Sequence, residues 1–279
     1  MRVAYLGPEG THTHEALLAA SAERALEAVS VPTIHDAIVA VREGEVERAL
    51  VPIENSLEGS VNATLDTLVF EGEDVAIVGE TVQAIHHCLI AADRLGLEAI
   101  EAVVSHPQAI AQCARFLRSR LPAARVLAAS STAEAVRMVA EAHQQWAAIG
   151  TRLAAELYGA AVLLGGIEDS AGNETRFVWI ARADADPDVN ARGPFKTAIV
   201  FWGVGAEAPG WLVGCLGEFS RRDVNLTRIE SRPRRQGLGR YMFFADLEGR
   251  VDDPPVADGL GALRDRVEHV RVLGSFPAA

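Results

Sequence analysis

Short apolar runs alternate with amphipathic stretches along the first two thirds of the chain, and a polar cluster stands at one join after another. Residues 2–6 read as a strand. Gly7-Pro8-Glu9-Gly10-Thr11-His12-Thr13-His14 then reads as a turn opening a helix predicted over 15–28. Gly7 and Gly10 allow close backbone approach, and a helix start offers N–H groups to an anion. The run 49–53 ends in Glu54-Asn55-Ser56-Leu57-Glu58-Gly59-Ser60, with Pro52 predicting an edge strand or a bend at its end. Residues 102–104 lead into Ser105-His106-Pro107-Gln108-Ala109, where Pro107 suits a first helical position capped by Ser105 or His106. Further strands are predicted at 75–78, 84–91, 125–129, 146–149 and 162–164. Such alternation predicts an α/β fold with largely parallel sheets, in which ligands sit outside the carboxyl ends of strands.

A fourth cluster, Gly172-Asn173-Glu174-Thr175-Arg176-Phe177, precedes its apolar run instead of following it. It must come from a chain crossing back toward the same cleft. A hydroxyl beside an arginine at a strand entrance suits an anionic substrate, because arginine holds a carboxylate with two parallel N–H bonds. A loop whose Asn, Thr and Arg side chains cap nearby backbone is the other reading of this stretch.

The net charge of −12 argues against a nucleic-acid binder, which needs a basic surface, but leaves room for a locally positive pocket. No apolar run approaches the ~18 residues of a membrane span, and the first residues are too quickly polar for a signal peptide. Cys88, Cys113 and Cys215 each lie in an apolar run, as buried thiols of a reducing cytoplasm would. His86 and His87 sit side by side on a predicted strand. They point to opposite faces and read as structural rather than as ligands of one ion.

Residues 183–195, polar and with two prolines, have linker composition. Beyond them a strand at 196–202, a helix over 209–222, a hairpin of 225–231 with 241–247, a helix over 256–269 and a closing strand give a βαββαβ, ferredoxin-like order. Arg232, Arg234, Arg235 and Arg240 cluster at the hairpin tip, which reads as solvated.

In order and spacing, Gly7-Pro8-Glu9-Gly10-Thr11, Pro52-Ile53-Glu54-Asn55-Ser56, Ser105-His106-Pro107-Gln108-Ala109 and Asn173-Glu174-Thr175-Arg176-Phe177 resemble the signature blocks of prephenate dehydratases. Asn225-Leu226-Thr227-Arg228-Ile229-Glu230-Ser231-Arg232-Pro233 resembles their ACT regulatory domain. The resemblance implies a two-lobed, periplasmic-binding-protein-like α/β catalytic domain at 1–182, with one lobe at about 1–79 plus 160–182 and the other at 80–159. A linker at 183–195 and an ACT domain at 196–279 would follow. It implies decarboxylative dehydration of prephenate to phenylpyruvate in phenylalanine biosynthesis, with no cofactor and no metal, feedback inhibition by phenylalanine, and a cytoplasmic homodimer or homotetramer. Thr175 would be the catalytic donor. Arg176 would pair a carboxylate, Thr11, Asn55, Ser56, Ser105, Gln108 and Asn173 would orient substrate, and Glu54 would be either an acid or a loop-holding carboxylate. Gly210, Leu212, Asn225, Leu226, Glu230 and Ser231 would bind the effector. No helical chorismate mutase segment precedes Met1, which reads as a monofunctional enzyme. Two positions depart from the family: His12 stands where Phe or Tyr is usual, and Trp211 puts an indole at a small position of the effector block. Arogenate dehydratase and a small-molecule-sensing binding protein are the alternatives.

Overall fold

The computed structural model describes residues 1–21, 25–142, 144–185 and 193–279. Strands β1 (Arg2–Leu6), β2 (Glu27–Val31), β3 (Arg48–Asn55), β4 (Gly59–Ser60) and β5 (Val75–Ala84) come first, interleaved with helices α1 (His12–Ala20), α2 (Ile34–Arg42) and α3 (Asn62–Phe70). Next come β6 (Cys88–Ala91), β7 (Ala102–Ser105), α4 (Pro107–Gln112), α5 (Ala114–Arg120), β8 (Arg125–Ala128), α6 (Thr132–Ala142), β9 (Trp146–Gly150), α7 (Arg152–Leu157) and β10 (Ala161–Gly165). The remainder is β11 (Glu174–Arg182), β12 (Phe195–Trp202), α8 (Trp211–Ser220), β13 (Leu226–Pro233), β14 (Tyr241–Glu248), α9 (Pro254–Arg264) and β15 (His269–Pro277).

Three sheets result, with orders β2-β1-β3-β11-β5, β10-β6-β9-β7-β8 and β13-β14-β12-β15, and with β4 paired to β3 off the first path. The first two make the two-lobed α/β part, and the third is antiparallel and ferredoxin-like. Several expectations shift. β3 lies between β1 and β11, so Pro52 occupies an inner strand. A proline removes one donor, and burial of Ala49, Leu50, Val51 and Ile53, none above 1% exposed, outweighs that loss. α1 stops at Ala20, short of 28, because residues from Glu27 on pair in parallel with β1. α9 stops at Arg264, short of 269, because His269 pairs with Trp202 in the sheet. The second sheet is mixed, since β6 runs against both β9 and β10.

The lobe boundaries shift as well. β5 stays in the first sheet to Ala84, and the expected strand 84–91 is broken at 85–87, where the Ile85 N–H donates to the Asn173 carbonyl. β10 belongs to the second sheet, with Val162 and Leu164 packed on opposite cores, so the chain returns after Gly165 and not at 160. The linker expected at 183–195 falls largely on 186–192, outside the described residues.

The chain packs as two compact units. The first comprises Met1–Ala37, Ala49–Val61 and Val82–Phe177. Its second sheet buries Ile90, Val104 and Ala148 on one face and Leu89, Val103 and Ile149 on the other, the period-2 alternation of a sheet covered on both sides. Cys88 and Cys113 are buried free thiols here, as Cys215 is in the second unit.

The second unit comprises Ile38–Arg48, Asn62–Thr81 and Val178–Ala279, so α3 and most of β5 cluster with the ferredoxin-like sheet. The hairpin arginines are not simply solvated. Arg232 forks onto Asp66 of α3 at 3.1 and 2.9 Å, Arg235 reaches the same carboxylate at 3.0 Å, and Arg234 lies over the Trp202 ring. Arg271 donates to the Leu68 carbonyl near the end of α3. Trp211 packs against Phe201 and Phe243 on the core of this unit.

Glu218 of α8, which is 5% exposed, meets Arg221 and Arg222 just after its own helix and Arg266 in the turn after α9. The Arg221 hydrogen bond, aided by Arg222 and Arg266 and opposed by burial, holds this carboxyl down to about 2. A depressed carboxyl stabilises the fold above its unfolded range near 4.5 and loses that contribution as pH falls toward 2. Glu218→Gln should therefore lower Tm at neutral pH, and its gap to wild type should close on acidification through that window. A gap that stays constant with pH would mean the side chain acts by packing alone.

Candidate active site

The first unit encloses a cavity of about 770 Å3 lined by residues from the expected clusters: Thr11, Asn55, Gln108, Asn173 and Thr175. The turn after β1 delivers Thr11, which caps α1 by accepting from the His14 N–H while donating to the Leu6 carbonyl. Gly10 makes the turn possible. Its φ is +83°, and a Cβ there would lie 2.9 Å from Ala154 of α7. Thr151, the cap of α7, donates to the Gly10 carbonyl at 2.6 Å and fixes that approach.

β3 and β11 deliver the centre of the site. The Asn55 carbonyl oxygen accepts from the Leu57 and Glu58 N–H groups, at 3.0 and 3.1 Å, in a loop closed by the Asn55 to Gly59 pairing. That settles which end of the amide is which. Its NH2 group then donates to Asn173 Oδ1 at 2.8 Å, to the Glu174 carbonyl and to Thr175 Oγ1 at 2.9 Å. Ser56 holds the two segments together: its N–H donates to the Glu174 carbonyl and its hydroxyl accepts from the Glu174 N–H, each at 2.9 Å. Thr175, 8% exposed, thus accepts from Asn55, and its own hydrogen is left to point at another acceptor.

The relay continues. Asn173 donates to Gln112 Oε1 at 3.1 Å, His87 Nε2 meets the same oxygen at 2.9 Å, and Gln112 Nε2 reaches Glu58 at 3.5 Å. Burial, reinforced by His12, lowers the His87 pKa, so that ring is neutral.

The remaining expected residues lie elsewhere. Neighbours on a strand face opposite ways. Asn55 and Thr175 face the cavity, so Glu54 and Arg176 face away from it and pair with each other at 3.0–3.1 Å. Ser105, wholly buried, donates to the Ile149 carbonyl at 2.7 Å and stands behind the wall. Ser56 serves the backbone, as above. Sequence reasoning missed Gln112 and His87. The spacing of Gln108 and Gln112, four apart on one helix, puts both on one face and was a usable signal. His86 and His87 do part to opposite sides. His86 is exposed and bonded to Glu168, whereas His87 is buried and lines the cavity. Of the expected effector residues, Gly210 and Leu212 stand at the start of α8, Asn225 and Leu226 at the start of β13, and Glu230 and Ser231 further along that edge strand.

A two-lobed α/β part with an amide-held threonine on a largely apolar cavity that carries a few polar side chains, followed by a βαββαβ sheet, defines a class of ligand-processing protein that the comparisons narrow. The family model described as prephenate dehydratase matches residues 3–185. A prephenate dehydratase of Amycolatopsis methanolica is 42% identical over all of this chain and 89% of its own length. A solved prephenate dehydratase from Arthrobacter aurescens, in complex with L-Phe, is 36% identical with TM-score 0.89, covering 99% of this chain and 90% of that one. A structure described as GqqA, a novel type of quorum quenching acylase, is 30% identical with TM-score 0.85, covering 100% and 98%. The chain belongs to the prephenate dehydratase family. Its activity is that of a lyase turning prephenate into phenylpyruvate on the way to phenylalanine.

The position of Ser105 is open to a direct check. Ser105→Ala should destabilise the protein by about 1–3 kcal/mol by orphaning a buried carbonyl, while kcat/KM stays within about twofold. A large fall in kcat/KM in a well-folded variant would put this hydroxyl back in the site.

Proposed function

We propose that this cavity is the prephenate site and that Thr175 donates the hydrogen bond received by the departing ring hydroxyl. Prephenate loses its ring carboxylate as CO2, the electron pair moves through the ring, and the hydroxyl opposite leaves as water, taking up one proton that comes from solvent. A threonine hydroxyl is a poor acid near neutral pH, so its contribution is a preorganised donor at the oxygen where charge develops. The observation that carries this is the Asn55 to Thr175 bond, which occupies a Thr175 lone pair and leaves its hydrogen for substrate. Thr11, Gln108 and Asn173 are the orienting groups on the wall, and the Glu54–Arg176 pair braces the two strands from behind. Thr175→Ala should lower kcat by about a hundredfold or more, with a smaller change in KM, in steady-state assays with prephenate. Full activity would remove Thr175 from the mechanism. Better turnover of arogenate than of prephenate would reassign the substrate.

The domain reading is a catalytic part to about residue 182 and an ACT domain from about 196. The single activity is supported by relatives named only for prephenate dehydratase, of whose length the chain spans about 90%. The L-Phe complex of the Arthrobacter aurescens relative supports phenylalanine as a ligand here; in this reading it acts as effector at the ACT domain of a cytoplasmic homodimer or homotetramer. Glu230-Ser231-Arg232-Pro233 would carry the signal through Arg232 and Asp66 to α3, which begins one residue after cavity-lining Val61. Coupling of this kind is typically about 5–150-fold. Asp66→Asn should keep phenylalanine affinity within about threefold, by calorimetry, while cutting inhibition severalfold. Unchanged inhibition would take the signal off this path.

A further inference from the structure

The substrate of the proposed reaction is a dianion, yet no Lys or Arg lies among the described residues lining the cavity. Its ionisable lining groups are three histidines, His12, His87 and His106. His106 is committed, since its Nδ1 accepts from the Gln108 N–H as cap of α4. The other two are not. His12 Nδ1 lies 3.2 Å from Glu15 Oε2, an acceptor, so Nδ1 carries the proton and Nε2 is bare. His87 Nε2 lies 2.9 Å from Gln112 Oε1, which also accepts from Asn173, so Nε2 carries the proton and Nδ1 is bare. Both bare nitrogens are buried and find no hydrogen-bond partner among the described residues. The rings meet edge to face with centroids 5.2 Å apart, and His87 is only 2% exposed. Two orphaned acceptors side by side cost free energy until a donor reaches them, and a proton is the smallest one.

Resting on the prephenate reading above, we propose that His12 and His87 form a proton-binding pair that takes one proton from solvent as the dianion binds, setting an imidazolium opposite a substrate carboxylate. The bond formed is one N–H, on Nε2 of His12 or Nδ1 of His87. The proton comes from buffer, and no other bond changes. Without ligand, desolvation, reinforced by the neighbouring His12, keeps His87 neutral. The charged and titratable groups around the pair are Glu15 on α1, Glu168 after β10 with its partner His86, Cys88 at the start of β6, and Glu58 through Gln112. The carboxylates alone do not offset burial of His87, and an arriving carboxylate adds the missing negative charge. This gives His12 a reason to be a titratable ring.

The test is calorimetric titration of prephenate into Thr175→Ala, which should bind without rapid turnover, at one pH in phosphate and in Tris. Their different ionisation heats report protons exchanged. The expected result is net uptake of about 0.5–1 proton per site above neutral pH, where His87 starts neutral. Adding His12→Phe or His87→Asn should at least halve that uptake and weaken binding about tenfold. A merely structural role for either ring would change affinity without changing the proton count. Binding with no buffer dependence, or uptake that survives both substitutions, would overturn the pair's role and leave the prephenate reading standing. Failure of the wild-type protein to turn prephenate over and of Thr175→Ala to bind it would sink both.

Discussion

One amide orders the catalytic face. The Asn55 oxygen is claimed by two backbone N–H groups of its own loop, so its NH2 group has no choice but to face Asn173, Glu174 and Thr175. A hydroxyl can accept and donate at once, and here the accepting side is taken by protein. Preorganisation of this kind is where an enzyme gains most, because the donor needs no rearrangement when charge appears on the leaving oxygen. The Ser56 to Glu174 pairing and the Glu54 to Arg176 ion pair keep β3 and β11 in the register that this amide requires.

That register also explains which expectations the structure keeps. The polar clusters at strand ends do converge on one cavity, since strand-to-helix joins gather at one end of a sheet. Strand parity then sorts each cluster. Asn55 and Thr175 go in, and Glu54 and Arg176 go to the far face. The parity was written in the sequence, but reading it needs the knowledge that β3 and β11 share a sheet, which arises 118 residues apart along the chain at the Asn55 to Asn173 bond. Ser105 shows the complementary difficulty. A serine at a strand end looks like a substrate donor, and only the neighbouring strand supplies the Ile149 carbonyl that claims it. Element ends were misjudged at α1 and α9 because strand pairing at Glu27 and His269 overrode local helical patterning.

The second compact unit is legible in part. The βαββαβ order was clear from periodicity, and the four-stranded sheet follows it. The destination of Arg232 was not, because Asp66 lies far away in sequence on a helix of ordinary composition. A basic hairpin tip in isolation reads as solvated. Beside α3 it becomes a clasp, and it draws that helix into the same compact unit as the ferredoxin-like sheet.

If Asn55 acts by aiming Thr175, the two side chains form one device and their losses cannot add. The measurement is a double-mutant cycle on kcat with Asn55→Ala, Thr175→Ala and the pair. The account predicts that the double variant is little slower than Thr175→Ala alone, a coupling of about 1–3 kcal/mol. Fully additive losses would show that Asn55 and Thr175 work independently, and the aiming of the hydroxyl would have to be given up.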